Sequence, residues 1–245
     1  MGEFRVATYN VHSCIGGDRR FAPERIAEAI LFLDADVVAV QELGWHHRGV
    51  RHFDQFAYLA EATGYHVIEA PTKFHARAHY GNALLARAPV VAHRVIDLSI
   101  PLHIPRGCVM AAITFGDLSV SVLNAHLGLT PWDRGQQIRR LAREIDDIDG
   151  PLILMGDFNN WSPRGAIARR LAHRLPYCTN LQTFPARAPR LPLDRIYLSP
   201  ELVFAAADVV RTPLTAVASD HLPVVADIRR AVRHLEGLDA AAACA

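Results

Sequence analysis

The sequence has a single lysine, Lys73, only three methionines and four cysteines, and neither sign of charge prevails: 26 Lys+Arg face 25 Asp+Glu in 245 residues, a formal net charge of +1. A protein built mainly to neutralise a long polyanion needs a basic excess, so this balance argues against one. Cys14, Cys108, Cys178 and Cys244 lie far apart with no CxxC pair, which excludes a zinc knuckle or disulfide framework read from spacing and fits free thiols in a reducing compartment. No stretch approaches the roughly 18 consecutive apolar residues of a membrane span. The N-terminus, MGEFRVATYN, enters an alternating pattern at once instead of the basic segment and apolar run of a secretory leader. A soluble, cytoplasmic protein is the expectation. No internal repeat and no Gly/Ser/Pro linker divides the chain, so a single domain over 1–245 is expected, with FPARAPRLP (184–192) read as a loop. A globule of this size buries roughly 70 to 75% of its unfolded surface and needs no metal to hold a core. Any metal here would serve chemistry.

What is present is a succession of eleven short apolar, β-branched runs, beginning with FRVATYN (4–10) and DVVAVQE (36–42) and ending with LPVVADIR (222–229). These predict strands. Helices are predicted where Pro23 precedes Ile26, Ile30 and Leu33, where Ile138, Leu141, Ile145 and Ile148 recur before Gly150, and near 54–63 and 164–174. Many strands, few helices and hairpin-length connections exclude a bundle and a strictly alternating parallel sheet. The expected fold is α/β, a sandwich of two packed mixed β-sheets flanked by helices.

Polar residues that break the apolar runs collect at strand ends: Asn10, Glu42, His126, Asp157 with Asn159, Asp194, and Asp220 with His221. Strand ends open onto the loops where sites assemble. Asp157 and Asn159 are two apart, so in extended backbone both point to one face, and Gly156 lets the chain pass close beside them. Glu42 ends a strand of apolar residues, where an ionised carboxylate is costly unless a cation or metal pairs with it. Oxygen donors of this kind select hard Mg²⁺ or Mn²⁺. Asp220 and His221 are adjacent and face opposite ways, so His221 needs another carboxylate, and Asp194 is the best candidate. His46, His47, His52, His75 and His79 sit in polar segments and read as solvated.

TYNVH (8–12), QEL (41–43), YGNALL (80–85), NAHLG (124–128), GDFN (156–159), LDRIYLS (193–199) and SDHLPV (219–224) together resemble the endonuclease/exonuclease/phosphatase superfamily, in the family's order and over nearly the whole chain. That superfamily includes pancreatic-type deoxyribonuclease, abasic-site endonucleases, neutral sphingomyelinases and inositol polyphosphate 5-phosphatases. The resemblance implies a four-layer α/β sandwich and a divalent-metal phosphoesterase. It puts Glu42, Asn10 and Asp220 at the metal. Asp157 and Asn159 would orient water and phosphate, His221 would be general base or phosphate-stabilising cation, and Asp194 would fix its ring. His126 matches a position that often donates to a phosphate oxygen. Tyr80, Asn82 and Arg106 are candidate phosphate or substrate contacts, Asn82 alternatively touching His126. Arg195 departs from the pattern, since many relatives carry an aromatic residue or histidine after the aspartate.

The leading expectation is in-line attack of water on a small or lipid-derived phosphodiester, with the metal and His221 stabilising charge on the phosphoryl oxygens. Nucleic acid is the alternative substrate, expected if Arg134, Arg139, Arg140, Arg164, Arg169 and Arg170 form one basic face beside the site. A non-catalytic binding protein on the same fold is a third, remote alternative. No obligate protein partner is inferred.

Overall fold

The computed structural model describes residues 2–47, 50–75, 78–162 and 165–231. Its first half runs β1 (Phe4–Asn10), a 3-10 turn at His12–Cys14, α1 (Pro23–Leu33), β2 (Val37–His47), β3 (Val50–Asp54), α2 (Gln55–Thr63), β4 (His66–His75), β5 (Ala78–Ala86), β6 (Val90–Asp97) and β7 (Gly107–Phe115). The second half continues with β8 (Leu118–His126), α3 (Pro131–Asp146), β9 (Leu152–Asp157), α4 (Ala166–Leu171), β10 (Tyr177–Cys178), β11 (Asp194–Leu198), β12 (Leu202–Val209), α5 (Thr215–Ala218) and β13 (Val224–Arg230). One sheet has the order β12-β13-β1-β2-β5-β4, with β3 added beside β2, and the other has the order β10-β11-β9-β8-β7-β6. Both are mixed, because β1 pairs parallel with β2 and β8 parallel with β9 while their other neighbours are antiparallel.

Side chains in a strand alternate faces, and the alternation here divides the apolar residues into layers. Val6, Val37, Ala39, Val122, Ile153, Met155 and Ile196 meet between the sheets. Ala7, Tyr9, Val38 and Val40 face outward under α1 and α2, where they meet Ile26, Ile30 and Leu33. Leu123, Ala125, Leu152 and Leu154 face outward under α3 and α4, against Ile138, Leu141 and Ile145. Helix, sheet, sheet, helix is the expected four-layer sandwich. Strands buried on both faces read as continuous apolar runs, which is why the sequence shows little strict alternation.

The helix ends follow their sequence. Pro23 opens α1 and Asp34 closes it in a left-handed turn. Asp54 caps α2 by accepting from the amides of Phe56 and Ala57, and Thr130 caps α3 by accepting from Asp133. The described residues contain thirteen strands against the eleven expected, the additions being β3 and the two-residue β10. Strands β2, β4 and β5 run beyond their apolar cores into polar segments such as WHH and TKFH, where backbone pairing continues without a hydrophobic face to announce it. The predicted helix near 164–174 is shorter, at Ala166–Leu171, and α5 was not expected. Cys14, Cys108 and Cys178 are free thiols, and Cys244 lies outside the described residues. No helix among the described residues is long and apolar enough to cross a membrane.

Candidate active site

The inter-sheet layer changes character at one edge of the sandwich. Two residues on from Val6 and Ala39, on the same face, stand Thr8 and Gln41; two on from Val122 stands Asn124. Gln41 Nε2 donates to Asn124 Oδ1 at 2.8 Å and to Thr8 Oγ1 at 3.1 Å, while Asn124 Nδ2 donates to the carbonyls of Val40 and Ala83 at 2.9 and 2.8 Å. This polar clasp joins the two sheets. Two residues further along the same faces come Asn10 and His126, with Asp157 two beyond Met155 and Asp194 two before Ile196. The site is therefore the next layer of the inter-sheet core, made polar.

Strand register brings these groups together. His126 lies beside Asp157 in the parallel β8–β9 pair, and Asp194 lies opposite Asp157 in the antiparallel β9–β11 pair. Two buried carboxylates on neighbouring strands repel unless a cation stands with them. His221 supplies it, entering on the loop before β13: Nδ1 is 2.8 Å from Asp194 Oδ2 and Nε2 is 3.8 Å from Asp157 Oδ2. Asp194 Oδ2 also accepts from Thr183 Oγ1, and the Phe184 ring packs against the imidazole at 4.8 Å between centroids. Burial alone would lower the basicity of His221, but Asp194, Asp157 and Asp220 overcome it and hold the imidazole up at about 10. Asp157 is pushed up to about 7, mainly by burial and secondarily by Asp194, with His221 opposing. Behind Asp157, Gly156 has φ +143° and a Cβ there would run into the Ala125 carbonyl, so only glycine fits.

His126 is a second buried imidazole with opposite surroundings. Its Nδ1 faces Arg106 NH1 at 3.1 Å and its Nε2 faces Asn159 Nδ2 at 3.2 Å, with Asp157 Oδ2 and Glu42 Oε1 at 3.7 and 3.8 Å. Burial and the positive charges of Arg106 and His221 hold it well below its ordinary pKa, so it is neutral. A guanidinium can only donate, so Nδ1 accepts from Arg106, while Nε2 stands between a second donor, Asn159 Nδ2, and the two carboxylates. Arg106 is itself buried and shares the Tyr80 phenol with Glu42. Burial and the Glu42 charge raise the Tyr80 phenol, keeping it neutral. Asn82 does not reach His126; its Nδ2 donates to the Gly107 carbonyl at 3.0 Å and pins the start of β7.

Glu42 comes to the mouth through a break in the sheet. The β2–β5 register shifts between Val40 and Leu43, and Glu42 sits at φ +61°, so its side chain turns off the helix-covered face that Val40 occupies. Asn10 Nδ2 donates to Glu42 Oε1 at 3.1 Å and to Asp157 Oδ2 at 3.0 Å, and its Oδ1 accepts from the His12 amide at 3.0 Å. Asn10 thus presents its amide nitrogen to the two carboxylates. Asp220 turns away from His221, as adjacent residues must, with Oδ1 3.8 Å from His12 Nδ1. Asp157, Asp194 and His221 are the one cluster of three ligating side chains among the described residues. That cluster is closed by the His221–Asp194 ion pair, and a metal there would meet an imidazolium. Glu42, with 22% of its side chain exposed beside these groups, suits a hard ion that takes one or two carboxylates and otherwise water or phosphate oxygens.

Asn159, at φ +48°, folds back so that its backbone N donates to Asp157 Oδ1 at 2.8 Å and its Nδ2 to the Leu127 carbonyl at 3.0 Å. Arg195 does not face the mouth. It is buried on the outer side of the sheet, where NH2 donates to the Asn160 carbonyl at 3.1 Å and anchors the loop behind Asn159. Of the six arginines, Arg134 is buried with NH1 on the Leu129 carbonyl at 2.6 Å, and Arg164 lies outside the described residues. The side chains of His46, His47, His52 and His75 also lie outside them. Sequence reasoning missed Gln41, Asn124, Thr183 and Ser219, whose hydroxyl donates to the Asn10 carbonyl at 2.7 Å. For Gln41 and Asn124 a signal existed: each continues the inward face of its strand at a spacing of two.

Residues 7–221 match the sequence profile described as the Endonuclease/Exonuclease/phosphatase family. The chain is 28% identical over 249 residues to the uncharacterized protein YbhP of Escherichia coli strain K12, over 92% of this chain and 96% of that one. In structure it is similar to a functionally unknown conserved protein from Enterococcus faecalis V583, with TM-score 0.79, 20% identity, and 93% of this chain and 100% of that chain covered. It is also similar to the human Nocturnin catalytic domain with bound sulfate anion, with TM-score 0.72, 23% identity and 94% of each chain covered. At these identities the structures establish the shared fold.

Proposed function

Because the chain belongs to the endonuclease/exonuclease/phosphatase family, a family of phosphoester hydrolases, we propose that it is a divalent-metal-dependent phosphodiesterase that cleaves a small or lipid-derived substrate by in-line attack of water, and that residues from Asn10 to His221 act as one catalytic unit. The observation that carries this reading is His221 clamped between Asp194 and Asp157, beside Glu42 and a neutral His126. The two imidazole Nε2 atoms converge on one carboxylate oxygen, Asp157 Oδ2, at 3.7 and 3.8 Å.

In this scheme Asp157 is the base. An imidazole held protonated up to about 10 is a poor proton acceptor at neutral pH, whereas a carboxylate raised to about 7 is a good one. The water oxygen bonds to phosphorus as its proton passes to Asp157. The bond to the ester oxygen breaks, and that oxygen takes a proton from solvent. His221, as a cation, and His126 stabilise the charge on the phosphoryl oxygens. Asn10 and Asn159 hold Asp157 in place, and Glu42 would hold Mg²⁺ or Mn²⁺, which when bound supplies Lewis-acid stabilisation of the same charge. Arg106 and Asn82 act through His126 and the backbone of β7 and do not grip the phosphate themselves. The near-neutral chain supports a small or lipid phosphoester over nucleic acid. The test is hydrolysis of bis(p-nitrophenyl) phosphate, dispersed phospholipids, plasmid DNA and RNA with Mg²⁺, Mn²⁺ or chelator. Metal-dependent cleavage of the diester or the lipid is expected. Cleavage restricted to DNA or RNA would overturn the substrate reading, and no metal-dependent cleavage at all would overturn the enzyme.

A further inference from the structure

Eleven large hydrophobic side chains are exposed among the described residues, and five of them lie on the segments that follow or precede Arg106, His126 and Asn159: Leu102, Ile104, Leu129 and Trp161 in loops and Trp132 in the first turn of α3. Single exposed apolar residues are ordinary, but five at one place are not. The strand pairing puts these loops on one edge. Parallel β8 and β9 end side by side at His126 and Asp157, and β7 begins where β8 ends, with Cys108 opposite Ala125. Contacts hold the loops to one another: Asn159 Nδ2 donates to the Leu127 carbonyl at 3.0 Å, the His103 ring packs on Trp132 at 5.3 Å, and its Nδ1 pairs with Asp133 at 2.9 Å. The five side chains keep between 49% and 106% of their free area.

Beside this rim runs a groove of about 590 Å³ between residues 98–101 and α3, lined by Trp132, Arg139, Arg140 and Arg143 among others. Its one carboxylate, Glu144, is taken up by Arg94 at 2.6 Å. Arg139 and Arg143 have no ion-pair partner among the described residues. Guanidinium groups next to exposed tryptophan and aliphatic tips match a surface that is apolar inside and anionic at its phosphates.

We propose that this rim is a membrane-docking surface that seats the mouth on an anionic phospholipid bilayer, so that the scissile phosphodiester belongs to a phospholipid of that layer. The inference rests on the phosphodiesterase reading and narrows its substrate class. Leu102, Ile104 and Leu129 decide between lipid and nucleic acid, because aliphatic tips insert among acyl chains but give bases nothing to stack on. The rim also borders the catalytic loops, so whatever covers it lies next to the substrate.

The test is sedimentation of the whole protein with vesicles of phosphatidylglycerol and phosphatidylethanolamine, with pure phosphatidylcholine vesicles and single-stranded DNA as separate arms, and with bis(p-nitrophenyl) phosphate hydrolysis followed in parallel. Binding to the anionic vesicles, weakened about tenfold or more by Leu102→Asp and by the double change Arg139→Glu with Arg143→Glu, is the expected result. Circular dichroism and thermal melting show that the variants are folded. Wild-type protein that cleaves the soluble diester but ignores anionic vesicles would overturn docking and leave the phosphodiesterase standing, whereas failure to cleave the diester strikes the catalytic reading instead. Binding to DNA and not to vesicles, or vesicle binding unchanged by both variants, would also overturn the docking surface.

Discussion

Two buried histidines stand at the mouth of the sandwich, one charged and one neutral, and their difference is the most instructive feature of the site. Burial pushes both toward the neutral form. At His126 the neighbouring guanidinium of Arg106 pushes the same way, and the ring stays neutral. At His221 the carboxylates of Asp194, Asp157 and Asp220 push back and win. Residue type and depth are shared; the partner on Nδ1 decides the chemistry. One imidazole is built as a fixed cation, the other as a neutral ring.

The largest expected effect comes from breaking the cationic half. Asp194→Asn keeps the shape of the side chain but removes the charge that holds His221 protonated, and kcat on a soluble diester should fall by about 10² to 10⁴, the range typical of an acid–base group. His221→Ala should fall into the same range. A loss of less than about tenfold in both would remove His221 from the reaction. Next comes Glu42→Gln, which should weaken Mn²⁺ binding about tenfold or more by titration calorimetry while the thermal melt of the metal-free protein stays put. An unchanged titration would take the metal away from Glu42.

Breaking the neutral half should act differently. Read from sequence alone, Arg106→Ala is expected to raise KM for anionic substrates. Arg106 is instead buried on His126, so the effect should move to kcat and to the ring itself. In Arg106→Met, which preserves most of the volume, the His126 pKa should climb toward its ordinary 6.5 and Nδ1 should lose its hydrogen-bond donor. Nitrogen-15 NMR of the two ring nitrogens reports both changes. An unaltered His126 spectrum together with a raised KM would restore the phosphate-fork role.

Much of this was legible in the sequence. Apolar runs located the strands, and the polar residues at their ends located the site, because a buried sheet leaves charged groups only where it opens. The partner of His221 was legible too: Asp220 and His221 must diverge on extended backbone, and Asp194 is found at 2.8 Å. The orientation of Asn10 was not, since which end of an amide faces a carboxylate depends on the His12 amide brought in by the 3-10 turn. Nor was the left-handed φ of Glu42, which arises from a bulge between two strands distant in sequence. The partners of Arg106, just before β7, and of Arg195, second in β11, depend on which face each takes where a strand begins, and there alternation gives no warning.

The smallest effect sharpens the comparison through proton linkage in the metal-free protein. His221 has a folded pKa of about 10 against an ordinary 6.5, so its contribution to stability is full below 6.5 and is lost as pH rises through 10. Asp157, raised to about 7 from 3.8, adds a decline of the same sign between those two values and is spent above them. His126 has the reverse sign: its folded pKa is depressed, so it costs stability below 6.5 and adds no slope above it. Above pH 7.5, therefore, His221 alone of the three sets the slope. Urea denaturation of metal-free protein between pH 7.5 and 9.5 should show stability falling with pH in the wild type and a flatter line in Asp194→Asn, whose His221 has already lost its proton. Parallel lines for the two proteins would mean that Asp194 does not hold the His221 charge, and the contrast between the two histidines would collapse.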